Sequence, residues 1–195
     1  MNRLDEAIVE AKRARELDPL SLTINANMGF ILAASGQYDR GIAECRKTLD
    51  MDPGFALAHY RLGQILVLEE KYAEAVPELQ KAIALSGESP RATAELGLAY
   101  ARMGKKTEAL NVLVALKQQA DRRYVSPFNL AVVYGALGEK ERTLEWLEKA
   151  YDERSPSLSV LQLSPAFASV RSEPRFAELV RRVGLPAMLR SRDRP

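Results

Sequence analysis

Apolar residues fall at helical spacing twice between Leu57 and Leu85. Leu57, Tyr60, Leu62, Ile65 and Leu66 make one stripe, Val76, Leu79, Ile83 and Leu85 make a second, and the polar run Glu69-Glu70-Lys71 lies between them. Spacings of three and four residues put such side chains on one helix face, so the stretch predicts two helices joined by a tight turn. The arrangement recurs at a fixed displacement. Leu96, Tyr100, Gly104, Lys106 and Leu110 answer to Leu130, Tyr134, Gly138, Lys140 and Leu144, each 34 residues on. Back from Leu96 the same step lands on Leu62 and then Met28, and DEAIVEAKRARELDP at 5–19 returns as DRGIAECRKTLDMDP at 39–53. A constant period of this size marks a repeat architecture.

The period divides the chain. Residues 1–19 hold a half repeat, its second helix only; four full repeats follow at about 20–53, 54–87, 88–121 and 122–155. After Arg154 the period lapses, leaving a helical C-terminal cap over 156–186 and a basic tail over 187–195. Punctuation agrees with these limits. Gly104 and Gly138 sit where a residue free to take positive φ ends a helix. Asp18-Pro19 and Asp52-Pro53 close two units, because proline cannot continue a helix. Ser89-Pro90 and Ser126-Pro127 pair an N-cap side chain with a proline at the first helical position. Pro77 lies inside a helical pattern, where a slight bend and no break is expected. Ser172 is expected to cap a last helix carrying the stripe Phe176, Leu179 and Val183 and ending at Gly184.

Small residues twelve apart recur in phase: Gly29 with Gly41, Gly63 with Ala75, Gly97 with Ala109, Ala131 with Thr143. They predict two antiparallel helices touching at close backbone approach. No such pair is expected to stand alone, so neighbours must stack. The first helix at the N-terminus is missing, which leaves the stripe Leu4, Ala7, Ile8, Ala11, Ala14 and Leu17 to be covered by upstream sequence or by another molecule.

A 34-residue helix–turn–helix unit bearing Leu62-Gly63, Ala75, Leu79 and Ala82, and again Leu96-Gly97, Tyr100, Ala109, Leu113 and Leu116, resembles the tetratricopeptide repeat. That resemblance implies an all-α fold: a right-handed α-solenoid of antiparallel helix pairs, here with a C-terminal helical cap. From Tyr124 onward, and above all in SEPRFAELVRRVGLP, the chain resembles the ending of tetratricopeptide regions in bacterial multidomain signalling proteins, which follow a kinase, winged-helix or cyclase domain.

Composition narrows the chemistry. Lys plus Arg number 28 against 26 for Asp plus Glu, a net charge of +2, which speaks against nucleic acid as a partner. No apolar run reaches the roughly 18–20 residues of a membrane span, and the N-terminus carries no apolar signal core, so a soluble, cytoplasmic protein is expected. The single cysteine, Cys45, falls on a core-facing phase and is read as a buried small hydrophobe. His59 is the only histidine, read as packing between helices. Glu69 and Glu70 are read as solvent-facing. No catalytic set, metal cluster, phosphate loop or cofactor is expected.

By the resemblance, first helices line a concave groove that reads a peptide or a partner helix. One helix face then selects Asn27 and Phe30, Tyr60, Arg61 and Gln64, Arg91, Glu95 and Arg102, and Phe128 and Asn129, with Gly135 also on it. Asn27 and Asn129 suit a peptide backbone; Arg61, Arg91 and Arg102 suit a carboxylate. Chaperone-binding members hold a C-terminal carboxylate with two asparagines and several basic residues. Asn27 and Arg61 match two of those positions, but Leu57 stands where a basic residue is expected, so that particular ligand is not expected here. Arg61→Glu is expected to weaken partner capture with melting nearly unchanged. The expected function is a non-catalytic protein-interaction module, the scaffold or regulatory region of a larger bacterial protein. The alternative is a self-associating protein that forms a homodimer through its N-terminal helix.

Overall fold

A computed structural model describes residues 3–185. The helices are α1 (Arg3–Leu17), α2 (Leu22–Ala34), α3 (Tyr38–Met51), α4 (Ala56–Leu68), α5 (Tyr72–Ser86), α6 (Pro90–Arg102), α7 (Lys106–Ala120), α8 (Pro127–Ala136) and α9 (Lys140–Asp152). Two 3-10 turns, Pro156–Val160 and Pro165–Val170, then lead to α10 (Pro174–Val183). No strand occurs among the described residues. The basic tail expected over 187–195 lies outside them, as does the last residue of the expected cap.

Helices pack in sequence as α2 on α3, α4 on α5, α6 on α7 and α8 on α9, and α4 and α6 also stack on the first helices before them. The fold is an α-solenoid of antiparallel pairs. Its starts follow the caps: the Ser89 hydroxyl accepts from Ala92 N, the Ser126 hydroxyl accepts from Phe128 N, and proline fills the first helical position in both. Gly104 and Gly138 turn the chain out of α6 and α8 with φ of 76° and 81°. The equivalent residue after α4 is Glu70, which takes φ 60° despite its Cβ. Pro77 sits inside α5, which runs through unbroken.

The closest backbone approach lies where Gly29 faces Gly41. A Cβ on Gly41 would stand 2.5 Å from the Gly29 carbonyl oxygen. The other small pairs work differently. A Cβ on Gly63 would meet the Leu79 side chain at 2.7 Å, and one on Gly97 would meet Val112 at 2.7 Å. Those glycines make room for a partner's branched side chain, which a Cβ there would meet first.

Three further expectations are corrected. Leu85 is exposed, because α5 turns its last turn outward. Glu69 is part-buried, pairs with Lys71 at 2.9 Å, and keeps one carboxylate oxygen buried without a partner. Ser172 does not cap α10: Glu173 holds the N-cap position in the extended conformation that a following proline imposes. At the other end, the α1 stripe from Leu4 to Ala14 is half-buried against α2, and Arg15 ties α1 to Glu44 of α3 at 2.9 Å. Leu17 remains outside that contact, 82% exposed.

The C-terminal segment covers the last repeat as expected, and it also does more. Phe167, fully buried, meets Phe128 edge-on at 5.5 Å and Phe176 at 6.3 Å, joining α8 to α10 through the second 3-10 turn. The Ala166 carbonyl lies so near Gly135 that a Cβ there would stand 2.7 Å from it.

Candidate functional site

The first helices α2, α4, α6 and α8 present one face to the inside of the solenoid. Along it, eight of the ten expected residues line one cavity of about 260 Å³: Phe30, Tyr60, Arg61, Gln64, Arg91, Glu95, Phe128 and Asn129. The helix phase brings them together, since they come from four repeat positions lying on one helix face at spacings of three and four residues.

Arg61 is the centre of the cluster. Its Nε and Nη2 donate to Asn27 Oδ1 at 3.0 and 2.8 Å, and its Nη1 donates to Gln64 Oε1 at 2.8 Å. The guanidinium also lies over the Phe30 ring at 4.7 Å and the Tyr60 ring at 5.5 Å from the centroids. Asn27 therefore positions Arg61; its carbonyl oxygen is not free for a peptide backbone. Gln64 passes the contact on, donating to Glu95 Oε1 at 3.4 Å. No carboxylate among the described residues pairs directly with Arg61, and burial pulls its guanidinium below the usual value. Burial also pushes the Glu95 carboxyl up to about 7, against the Gln64 hydrogen bond and the Arg61 charge, which both favour ionisation. The Tyr60 phenol moves upward too, chiefly by burial.

Two groups in the cavity are uncommitted. Arg91 is exposed and forms no hydrogen bond or ion pair with the described residues. Asn129 is only 5% exposed, yet its side-chain amide has no hydrogen-bond partner among them. Its polar atoms reach the solvent of the cavity, so they are free to bond an external partner. Arg91 and Asn129 stand in the first turns of α6 and α8, whose dipoles favour negative charge.

Arg102 is not part of this cluster. It stands at the far end of α6 and donates to the Pro165 carbonyl oxygen. The reason is the segment over residues 156–170, the two 3-10 turns and the link between them, which lies along the concave face as a strap. Pro156, Ser157 and Val160 wall the cavity on one side, and Leu163 and Pro165 lie farther along. The strap parts the face lengthwise. On its other side a space of about 810 Å³ opens at the C-terminal ends of α2, α4 and α6, where Arg102 and Arg171 are matched by Asp5 and Glu70. Phe128 and Gly135, expected in an open groove, are instead largely covered by the strap. These wall residues carry no sequence signal, because the period has already lapsed when they occur.

The remaining singled-out residues are structural. His59 is buried, with Nδ1 2.6 Å from Glu78 Oε2 and Nε2 3.0 Å from the Pro53 carbonyl oxygen, tying α4 to α5. Cys45 is fully buried, and burial pushes its thiol up to about 12. No helix among the described residues is long and apolar enough to cross a membrane.

Two family models, each described as tetratricopeptide repeat, match residues 27–91 and 66–126. Among solved structures, a tetratricopeptide repeat protein from Parabacteroides merdae ATCC 43184 is similar at 18% identity and a TM-score of 0.60, covering 93% of this chain and 78% of that one. MamA is similar at 23% identity and a TM-score of 0.51, covering 80% of this chain and 91% of that one. At these identities the likeness speaks for the fold. No curated protein gives a significant match. Residues 27–126 therefore carry tetratricopeptide repeats, and the chain is an α-solenoid of that kind.

Proposed function

We propose that this chain is a non-catalytic interaction module that takes a carboxylate-bearing stretch of a partner peptide in the cavity between Arg61, Arg91 and Asn129. Tetratricopeptide repeat proteins generally mediate protein–protein contacts. The observation that carries the specific reading is the pair of guanidiniums in one cavity, Arg61 bonded only to the neutral Asn27 and Gln64 and Arg91 exposed and bonded to none of the described residues, with the Asn129 amide facing the same space. A bound carboxylate supplies the counter-charge to Arg61 and Arg91, and its flanking peptide group supplies the partner for Asn129. The repeat limits given above, and a place as the scaffold or regulatory region of a larger bacterial signalling protein, belong to this reading; the C-terminal resemblance supports the latter.

Arg91→Glu tests it. The residue is exposed and bonded to nothing, so stability stays within about 0.5 kcal/mol. Anisotropy with a labelled acidic peptide is expected to show affinity falling at least tenfold, as about 1.5–3 kcal/mol of charge-assisted bonding is replaced by repulsion. Unchanged affinity removes the cavity as the binding site. A second reading, self-association through α1, is favoured by Val9, Leu17 and Leu20, which are 49%, 82% and 76% exposed. It requires scattering mass that doubles with concentration and reverts in Leu17→Lys.

A further inference from the structure

The second helices carry a periodic feature that the cavity does not use. Leu17, Met51 and Leu85 follow one another at 34 residues, and each stands in the last turn of its helix, α1, α3 and α5. All three are exposed, at 82%, 44% and 49%. Four residues earlier in each helix, one turn back on the same face, stand Arg13, Lys47 and Lys81, which are exposed as well. Arg13 and Lys47 form no ion pair with the described residues, and Lys81 lies 3.9 Å from Glu78. In α3 and α5 the glutamates three residues before the lysines are engaged elsewhere: Glu44 pairs with Arg15, and Glu78 with His59. An apolar row therefore runs beside a basic row across three successive helices. Both lapse together, since the matching positions of α7 are Ala115 and Gln119.

We infer that this double row docks an acidic amphipathic helix of a partner protein, laid across α1, α3 and α5 near their C-terminal ends. The site is separate from the cavity, which the first helices and the strap line. Helices packed side by side stand about 8–10 Å apart, and seven residues of a helix rise about 10.5 Å. Apolar residues at every seventh position of the partner thus meet Leu17, Met51 and Leu85 in turn. Acidic residues along one flank of that stripe meet Arg13, Lys47 and Lys81, and this charge match selects an acidic helix over a basic or neutral one. The other flank lies toward the carbonyl ends of the three helices, which repel a carboxylate. That asymmetry fixes the direction in which the partner helix lies.

Anisotropy on the full chain tests this, with a labelled helical peptide whose leucines recur at every seventh residue and whose glutamates occupy one flank. A scrambled peptide of the same composition is expected to bind about tenfold more weakly, as is the peptide with lysine in place of glutamate. Lys47→Glu is expected to lower affinity roughly fivefold, and Met51→Gln about threefold. Both side chains are exposed, so both variants should melt with the unaltered chain, and Lys47→Glu should bind the cavity's acidic peptide as before. Equal affinity for the designed and scrambled peptides, or undiminished affinity in Lys47→Glu, overturns the inference and leaves the cavity reading standing. A scattering mass that doubles with concentration and reverts in Met51→Gln would show a second copy covering the row, which also overturns the partner helix.

Discussion

Glu95 shares its cavity with two guanidiniums, yet burial still holds its carboxyl at about 7 against an ordinary 4.5. The folded chain therefore keeps a proton that the unfolded chain has lost. The stability Glu95 contributes is complete at or below about pH 4.5 and declines as pH rises to about 7. Glu95→Gln should flatten that part of the stability profile measured by urea denaturation. The same proton adds one positive charge to the cavity. Peptide carboxylates stay ionised at about pH 6, so binding is expected to be roughly threefold to tenfold tighter there than at about pH 8, and the Gln variant should lose the difference. A different lesson comes from Arg61. Its helix phase makes it a groove residue, but three hydrogen bonds and two aromatic rings hold it, so Arg61→Glu must lower stability as well as affinity. Arg91 is the cleaner probe.

Helix pairs are held at distances set by what their glycines face. Gly41 faces a backbone carbonyl, whereas Gly97 faces the side chains of Val112 and Val133. Backbone cannot rotate away, and a valine has some freedom to shift. Gly41→Ala is accordingly expected to cost about 1–3 kcal/mol, and Gly97→Ala less, in paired urea unfolding curves. Equal costs would mean that α2 and α3 slide apart easily. The recurrence of small residues was legible in the sequence because it is periodic. Their contacts were not, since a twelve-residue spacing says that two helices come close and leaves open which atoms meet. The Ser172 cap failed for a similar local reason: Pro174 fixes the start of α10 one residue later than a hydroxyl alone would suggest.

Across the whole molecule, the strap changes a one-dimensional stack into a closed one. A simple solenoid couples each repeat only to its neighbours, but Arg102 of α6 reaches Pro165, 63 residues on. Phe167→Ala removes a fully buried ring outside the repeats and is expected to destabilise the whole chain by about 3–5 kcal/mol. A single cooperative transition displaced to lower urea fits that coupling. An early separate transition would show the strap unfolding by itself.

The period, the pairing of helices, the caps at Ser89 and Ser126 and the side of each first helix that faces inward can all be read from residue order. Each depends on neighbours three, four or 34 positions away, and repetition averages out local noise. The gathering of Tyr60, Arg61, Gln64, Glu95 and Asn129 follows from that phase alone. The strap is different. Its seat rests on single contacts between non-repeating residues and distant helices, such as Ala166 on Gly135 and Phe167 on Phe128. Only folding decides which helices those residues reach, and hence that a strap divides the concave face.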